Sequence, residues 1–160
     1  MSVEVQRLGP ADWQLWRSVR LAALADAPEA FGSSLDKEQG YTDEQWRAWM
    51  APDRGLKAVA RTPGGTAGVI GVWVPHDSDP EVYSMWVHPH SRGTGVGDRL
   101  VSEALAWAGE QRLEAVMLWV VGDNAAARRL YERHGFEATG ESQPYPRDPA
   151  RIEYVMRRTL

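Results

Sequence analysis

Residues 83–100 read YSMWVHPHSRGTGVGDRL, and the order of residue types within them decides how the chain folds. Met85, Trp86 and Val87 close a run with strand character. Pro89 ends that run, because proline has no N–H to give a ladder and fixes its own φ. Arg92, Gly93, Thr94, Gly95, Val96 and Gly97 follow. From there the apolar residues fall at Val96, Leu100, Val101, Ala104 and Leu105, which is helical spacing. Glycines at a helix start leave backbone N–H groups bare, and the helix dipole adds partial positive charge. The turn is therefore a candidate anion site, and phosphate is the usual anion.

Two common phosphate motifs are excluded. A Walker A loop needs a Lys, and this stretch has none. A dinucleotide fingerprint needs G-x-G-x-x-G, but Gly93-x-Gly95 is followed by Asp98 and Gly95-x-Gly97 by Leu100. What fits is R-x-x-G-x-G, as Arg92, Gly95 and Gly97. A second stretch, residues 123–136, reads DNAAARRLYERHGF and carries N-x-x-A-x-x-[LI]-Y-x-x-x-G-F at Asn124, Ala127, Leu130, Tyr131, Gly135 and Phe136. One helix and one strand lie between the two stretches. In this order and at this separation they resemble the GCN5-related N-acetyltransferase (GNAT) superfamily, most strongly over residues 81–136.

Composition agrees with a soluble globular chain. Its 160 residues suggest one domain over residues 1–160, with 43% hydrophobic and 25% charged residues. No apolar run approaches the ~20 residues of a membrane span, and residues 1–10 lack the apolar region of a signal peptide. No cysteine is present, which rules out disulfides, thiolate metal sites and a Cys nucleophile. With no export signal, a cytoplasmic location is the default expectation. A net charge of −4 argues against nucleic acid as partner, so an anionic cosubstrate must be held by local donors.

Taken in order, residues 2–8 suit a first strand, and Gly9-Pro10 opens a helix with Trp13, Trp16, Val19, Ala23 and Leu24 on its apolar face. Residues 27–34 interrupt it. Thr42 and Gln45 form a capping box that starts a second short helix, ending by Pro52. Residues 56–61 and 67–74 read as strands around the turn at 62–65, and residues 81–87 as a fourth strand. After the helix at 96–110, residues 114–121 form an apolar run suited to a buried strand with a parallel neighbour. Asp123 or Asn124 caps the next helix, and Gly135 is its C′ residue. Residues 136–140 and 152–160 read as two last strands, joined by the Pro-rich stretch 143–149. The order β-α-α-β-β-β-α-β-α-β-β argues an α/β or α+β mixed sheet, and the crossover makes strands 81–87 and 114–121 parallel.

The resemblance implies more. In the GNAT fold these two parallel strands splay apart, and the pantetheine arm of acetyl-CoA pairs with the exposed edge, here at Met85, Trp86 and Val87. Arg92, Gly93, Thr94, Gly95, Val96 and Gly97 are implied to hold the pyrophosphate. Asn124, Ala127 and Tyr131 share one helix face (i, i+3, i+7) that would look at the cosubstrate. Tyr131 is implied as the acid that protonates the leaving thiolate. Glu81 matches a position where many GNAT enzymes place a Glu as general base; by alternation it shares a face with Tyr83, Met85 and Val87. His88, His90 and a water chain remain rival bases. The acceptor pocket is expected to draw on residues 31–34, with Phe31 and Ser33 foremost, and on Trp73, Tyr83, Trp119 and Tyr145. Arg128, Arg129 and Arg133 either meet CoA phosphates or form a solvated face. No metal site is suggested. The leading reading is transfer of an acetyl group to a primary amine by direct attack in a ternary complex. The alternatives are a protein lysine or N-terminal acetyltransferase and a non-catalytic acyl-CoA-binding domain. The partner is a small-molecule or peptide amine, with no membrane, and a homodimer is expected by family analogy.

Overall fold

The computed structural model describes residues 2–51 and 55–160; Pro52, expected to end the second helix, lies outside them. The chain runs β1 (Glu4–Arg7), α1 (Trp13–Asp26), α2 (Leu35–Gln39), α3 (Asp43–Trp49), β2 (Leu56–Thr62), β3 (Gly65–Trp73), β4 (Glu81–Val87), α4 (Val96–Glu110), β5 (Ala115–Val121), α5 (Ala125–Arg133), β6 (Glu137–Tyr145) and β7 (Asp148–Thr159). The seven strands form one mixed sheet in the order β1-β2-β3-β4-β5-β7-β6. Only β4 and β5 are parallel, as the crossover through α4 requires. Among the described residues no helix is long and apolar enough to cross a membrane.

Each face of the sheet carries its own core. On one face α4 and α5 bury Val96, Leu100, Val101, Ala104, Trp107 and Tyr131 against Ile70, Val72, Val116 and Leu118. On the other, α1 and α3 bury Trp16, Val19, Leu24 and Trp46 against Val59, Val69 and Trp86. Fully burying side chains of this size stabilises by about 1.5–3 kcal/mol each.

Two elements differ from the sequence reading. α2 is an additional short helix, capped by Ser34, whose hydroxyl accepts from the Lys37 N–H. Its residues carry few apolar side chains, so periodicity gave no signal. The stretch at 143–149 is a hairpin turn and not a long connector: β6 and β7 pair as far as Tyr145↔Asp148. Pro144 is tolerated because β6 is the edge of the sheet, where proline leaves no inner ladder unpaired. The capping box of Thr42 and Gln45 is present in α3.

β4 contains a bulge. Val69 pairs with Trp86 and Gly71 with Tyr83, so Ser84 and Met85 together oppose Ile70. Ser84 has φ 58°, in the left-handed region. A bulge bends and twists its strand and shifts the alternation by one. Val82, Met85 and Val87 therefore face α4, while Tyr83 and Trp86 face α1. The expectation that Glu81 shares a face with Met85 and Val87 is thereby corrected: Glu81 lies on the α1 side with Tyr83.

Arg20 of α1 ties this bulge down. Its Nη1 donates to Ser84 Oγ at 2.8 Å, and its Nε and Nη2 donate to the two Glu38 oxygens at 2.8 Å each. The Arg20 and Glu38 side chains are only 8% and 2% exposed. Phe31 and Trp49 lie against the guanidinium at 5.0 and 5.3 Å. Removing one partner of a buried ion pair leaves the other charge uncompensated, at a cost of about 3–5 kcal/mol. Glu38→Gln is thus expected to lower the melting temperature by on the order of 10 °C, read by circular dichroism; a shift within error shows that the pair is dispensable.

Candidate functional site

β4 and β5 pair only at Glu81↔Met117, with Met117 N–H donating to the Pro80 carbonyl at 2.9 Å. Beyond that point the strands part. A cleft of about 1020 Å³ opens where they separate.

One end of the cleft is the glycine turn. Gly93 and Gly95 have φ 76° and 89°, which residues with a Cβ rarely adopt, and Gly95 is the N-cap of α4. A Cβ at either position would meet nothing within 4 Å, so the backbone here borders open space. A 15-residue helix points its N-terminal amides at that space. Gly97 packs closely on α5: a Cβ at this position would lie 3.2 Å from the Leu130 side chain. This is a cradle that fits a pyrophosphate. Arg92 donates through Nε to the Val87 carbonyl at 3.1 Å and through Nη2 to Asp26 at 2.5 Å. Asp26 also accepts from Trp86 Nε1 at 2.9 Å. That hydrogen bond and the one from Arg92 hold its carboxyl below the usual range.

α5 forms one wall. Asn124 is its N-cap, with Oδ1 accepting from the Ala127 N–H at 3.2 Å. At the other end Phe136 N–H donates to the Tyr131 carbonyl and Gly135 N–H to the Glu132 carbonyl, both at 3.0 Å. This is a Schellman motif, closed by the ring of Phe136 against Tyr131 at 5.8 Å. The N-x-x-A-x-x-L-Y-x-x-x-G-F pattern is thus a complete helix with both caps, built to fix Tyr131. Tyr131 is buried, and burial pushes its phenol above the ordinary value near 10. Asn124, Ala127 and Tyr131 all line the cleft.

The other end is bordered by Phe31, Ser33, Glu81, Tyr83, Trp119 and Tyr145. Tyr145, in the β6–β7 hairpin, donates its hydroxyl to the Phe31 carbonyl at 2.7 Å. Arg147, at the hairpin tip, donates to the carbonyls of Pro28, Phe31 and Ser33. The hairpin therefore holds the loop after α1 in place over this end. Burial raises the Glu81 carboxyl above its ordinary value, and the charge of Glu153 adds to the effect.

Several expected residues lie elsewhere. Trp73 is 54% exposed and does not reach the cleft, because β3 is one strand removed from the parting and Trp73 ends it. Thr94 turns its hydroxyl to the Ser91 carbonyl, and Val96 is buried in the α4 core, so neither side chain lines the cleft. Trp86 lies along the cleft through its strand while its indole faces α1. His88 and His90 stack on one another outside the cleft walls. Arg129 and Arg133 border the cleft and Arg128 does not; Arg133 pairs with Asp98 at 3.2 Å. Arg20, Ser84 and Glu153 border it without having been singled out in the sequence. Among the described residues no group of three or more His, Asp or Glu is placed to hold a metal ion.

The model of the acetyltransferase (GNAT) family matches residues 16–136. The chain belongs to that family. Among curated relatives, a mycothiol acetyltransferase from Nocardiopsis dassonvillei is 34% identical over 151 residues, which cover 87% of this chain and 44% of the relative. The chain thus spans less than half the length of such relatives. Among solved structures, a GNAT-family acetyltransferase from Streptococcus pneumoniae superposes with a TM-score of 0.81 at 21% identity, covering 99% of both chains. A GCN5-related N-acetyltransferase from Kribbella flavida gives 0.73 at 25% identity, covering 99% of this chain and 98% of that one.

A side chain at Gly95 brings backbone strain of about 1–3 kcal/mol, and Asp adds negative charge beside the helix N-terminus. Gly95→Asp is expected to weaken acetyl-CoA binding at least ~100-fold by calorimetry, a loss of about 2.8 kcal/mol. Unchanged affinity in the folded variant removes the turn from the binding site.

Proposed function

We propose that the chain is an acetyl-CoA-dependent N-acetyltransferase that transfers the acetyl group to a small-molecule amine by direct attack in a ternary complex. One observation carries this reading: a single cleft has the glycine turn at one end, the parted edge of β4 along it, and both Tyr131 and Glu81 on its walls. Acetyl-CoA, when bound, supplies a thioester activated for acyl transfer.

The residues divide the work. The N–H groups of the turn from Arg92 to Gly97 hold the pyrophosphate, which global charge cannot do for a chain of net charge −4. The edge of β4 at Met85–Val87 presents backbone groups that β5 does not pair, suited to the amides of a pantetheine arm. The bulge at Ser84 takes main-chain amides out of the ladder beside this edge, where one can donate to the developing oxyanion. Glu81 takes the proton of the attacking ammonium. Its raised pKa moves it toward the working pH, where a general base is most effective. Tyr131, kept protonated by burial, gives its proton to the departing sulfur.

A small-molecule acceptor is favoured over a protein, because the curated relatives are named mycothiol acetyltransferases. The loop after α1, fixed by Tyr145 and Arg147, further narrows the acceptor end. A non-catalytic binding domain would not need an acid and a desolvated base on the walls of one cleft.

Tyr131→Phe is expected to lower kcat by ~10²–10⁴-fold while acetyl-CoA affinity stays nearly constant. Unaltered turnover makes Tyr131 a packing residue. For Glu81, the sign follows from the raised pKa: the basic form appears only as pH rises through that value, so wild-type kcat/KM climbs with pH there. Glu81→Gln should lose this limb, and its deficit should narrow at high pH, where free amine is abundant. Parallel profiles with equal rates assign the base to another group.

A further inference from the structure

Glu153 lies on β7, paired with Val121 of β5, on the α1 side of the sheet with Glu81 and Trp119. It is 8% exposed, and what remains exposed faces the cleft. Its one hydrogen-bond partner among the described residues is a neutral amide: Gln143 Nε2 donates to Oε1 at 2.6 Å. A carboxylate this buried normally has a cation, because desolvating it alone costs several kcal/mol.

The cations nearby are committed elsewhere. Arg20 is bound to Glu38, Arg151 to Asp123 at 2.7 Å, and Arg147 to the carbonyls of the loop after α1. Glu81 has no ion pair among the described residues either. Two carboxylates on different strands thus border one end of the cleft, between aromatic walls and without an ion pair among the described residues.

We propose that Glu153 is a specificity-determining residue that binds the acceptor as an ammonium ion between itself and Glu81, so that the enzyme selects cationic amines and rejects amines with a carboxylate on the adjacent carbon. This rests on the acetyltransferase reading above. Attraction to both carboxylates draws the ammonium in; a carboxylate on the acceptor would be repelled twice in a poorly solvated site. Tyr83 and Trp119 offer flat apolar surface to the rest of the molecule and favourable faces to a cation. The same negative charge strengthens Glu81 as a base. The other groups around it are Arg20 and Arg151, each paired with another acid, Arg147 bonded to backbone carbonyls, the Tyr145 hydroxyl bound to Phe31, and Glu29 on the loop after α1. In the reaction one ammonium proton passes to Glu81, the amine nitrogen bonds the acyl carbon, the carbon–sulfur bond breaks as the sulfur takes the Tyr131 proton, and the second proton shed by the amide nitrogen passes through solvent to the Tyr131 oxygen.

The test uses the whole chain saturated with acetyl-CoA and three probes: phenethylamine, 1,4-diaminobutane and phenylalanine, which differs from the first only by its carboxylate. Wild type is expected to prefer phenethylamine to phenylalanine by at least ~100-fold in kcat/KM, with the diamine also accepted. Glu153→Gln keeps an acceptor for Gln143. It should raise KM for the two cationic probes at least ~10-fold with a smaller change in kcat, bring the preference below ~10-fold, and lower the pH of the acidic limb of kcat/KM. Calorimetry of each probe on the protein loaded with CoA reads the same preference as binding. An unchanged preference and limb in the folded variant, a wild-type preference for phenylalanine, or no binding of either cation overturns the proposal. Acetyl-CoA binding to wild type is measured alongside: its loss refutes the acetyltransferase reading, whereas intact cosubstrate binding with an unaltered Glu153→Gln profile refutes the role of Glu153 alone.

Discussion

The guanidinium of Arg20 fixes the part of the sheet on which the site depends. It bridges the buried Glu38 carboxylate and the hydroxyl of Ser84, the residue of β4 held at φ 58°. A non-glycine residue in the left-handed region is strained and persists only where its surroundings hold it. Here α1 and α2 together supply the hold. The bulge bends β4, shifts which side chains face which core, and lies beside the point where β4 leaves β5. Without it, Glu81 would follow Met85 and Val87 toward α4; with it, Glu81 and Tyr83 face the acceptor end.

From that constraint the two ends of the cleft follow separately. The turn end is backbone chemistry, made by two glycines in left-handed conformations and by the first amides of α4. Its side chains are partly occupied, Arg92 by Asp26 and Arg133 by Asp98, so the anion is offered main-chain donors first. The acceptor end is side-chain chemistry. It is assembled from α1, its following loop, β4, β5 and the β6–β7 hairpin, and it is acidic where the turn end is electropositive. Under the proposed function, this opposition would orient an anionic cosubstrate and a cationic acceptor along one channel.

The family model covers residues 16–136 and stops short of the hairpin, yet Tyr145, Arg147 and Glu153 all lie beyond it. The glycine turn, Tyr131 and Glu81 lie within the matched region, whereas the hairpin that borders the other end of the cleft lies outside it. Tyr145 and Arg147 secure the loop that carries Phe31 and Ser33, linking residues more than a hundred positions apart.

The sequence alone determined the elements whose signals are local. Gly95 before a helical apolar stripe marked the start of α4, Thr42 and Gln45 marked α3, and Asp123 or Asn124 with Gly135 bounded α5, the structure choosing Asn124. In each case the capping chemistry acts within four residues and is written in the residue types. The crossover length likewise made β4 and β5 parallel. What only the tertiary structure decided depends on partners distant in the chain. Alternation placed Glu81 with Met85, because a bulge leaves no mark in a run of strand-forming residues; it is visible only as register against β3. Trp73 looked like a wall residue until its strand proved to be one removed from the parting. In the sequence Glu153 is one acid in a terminal strand. Its meaning comes from burial on β7 beside a second carboxylate, with Arg20 and Arg151 paired to other acids and Arg147 bonded to backbone carbonyls, and no local pattern encodes that.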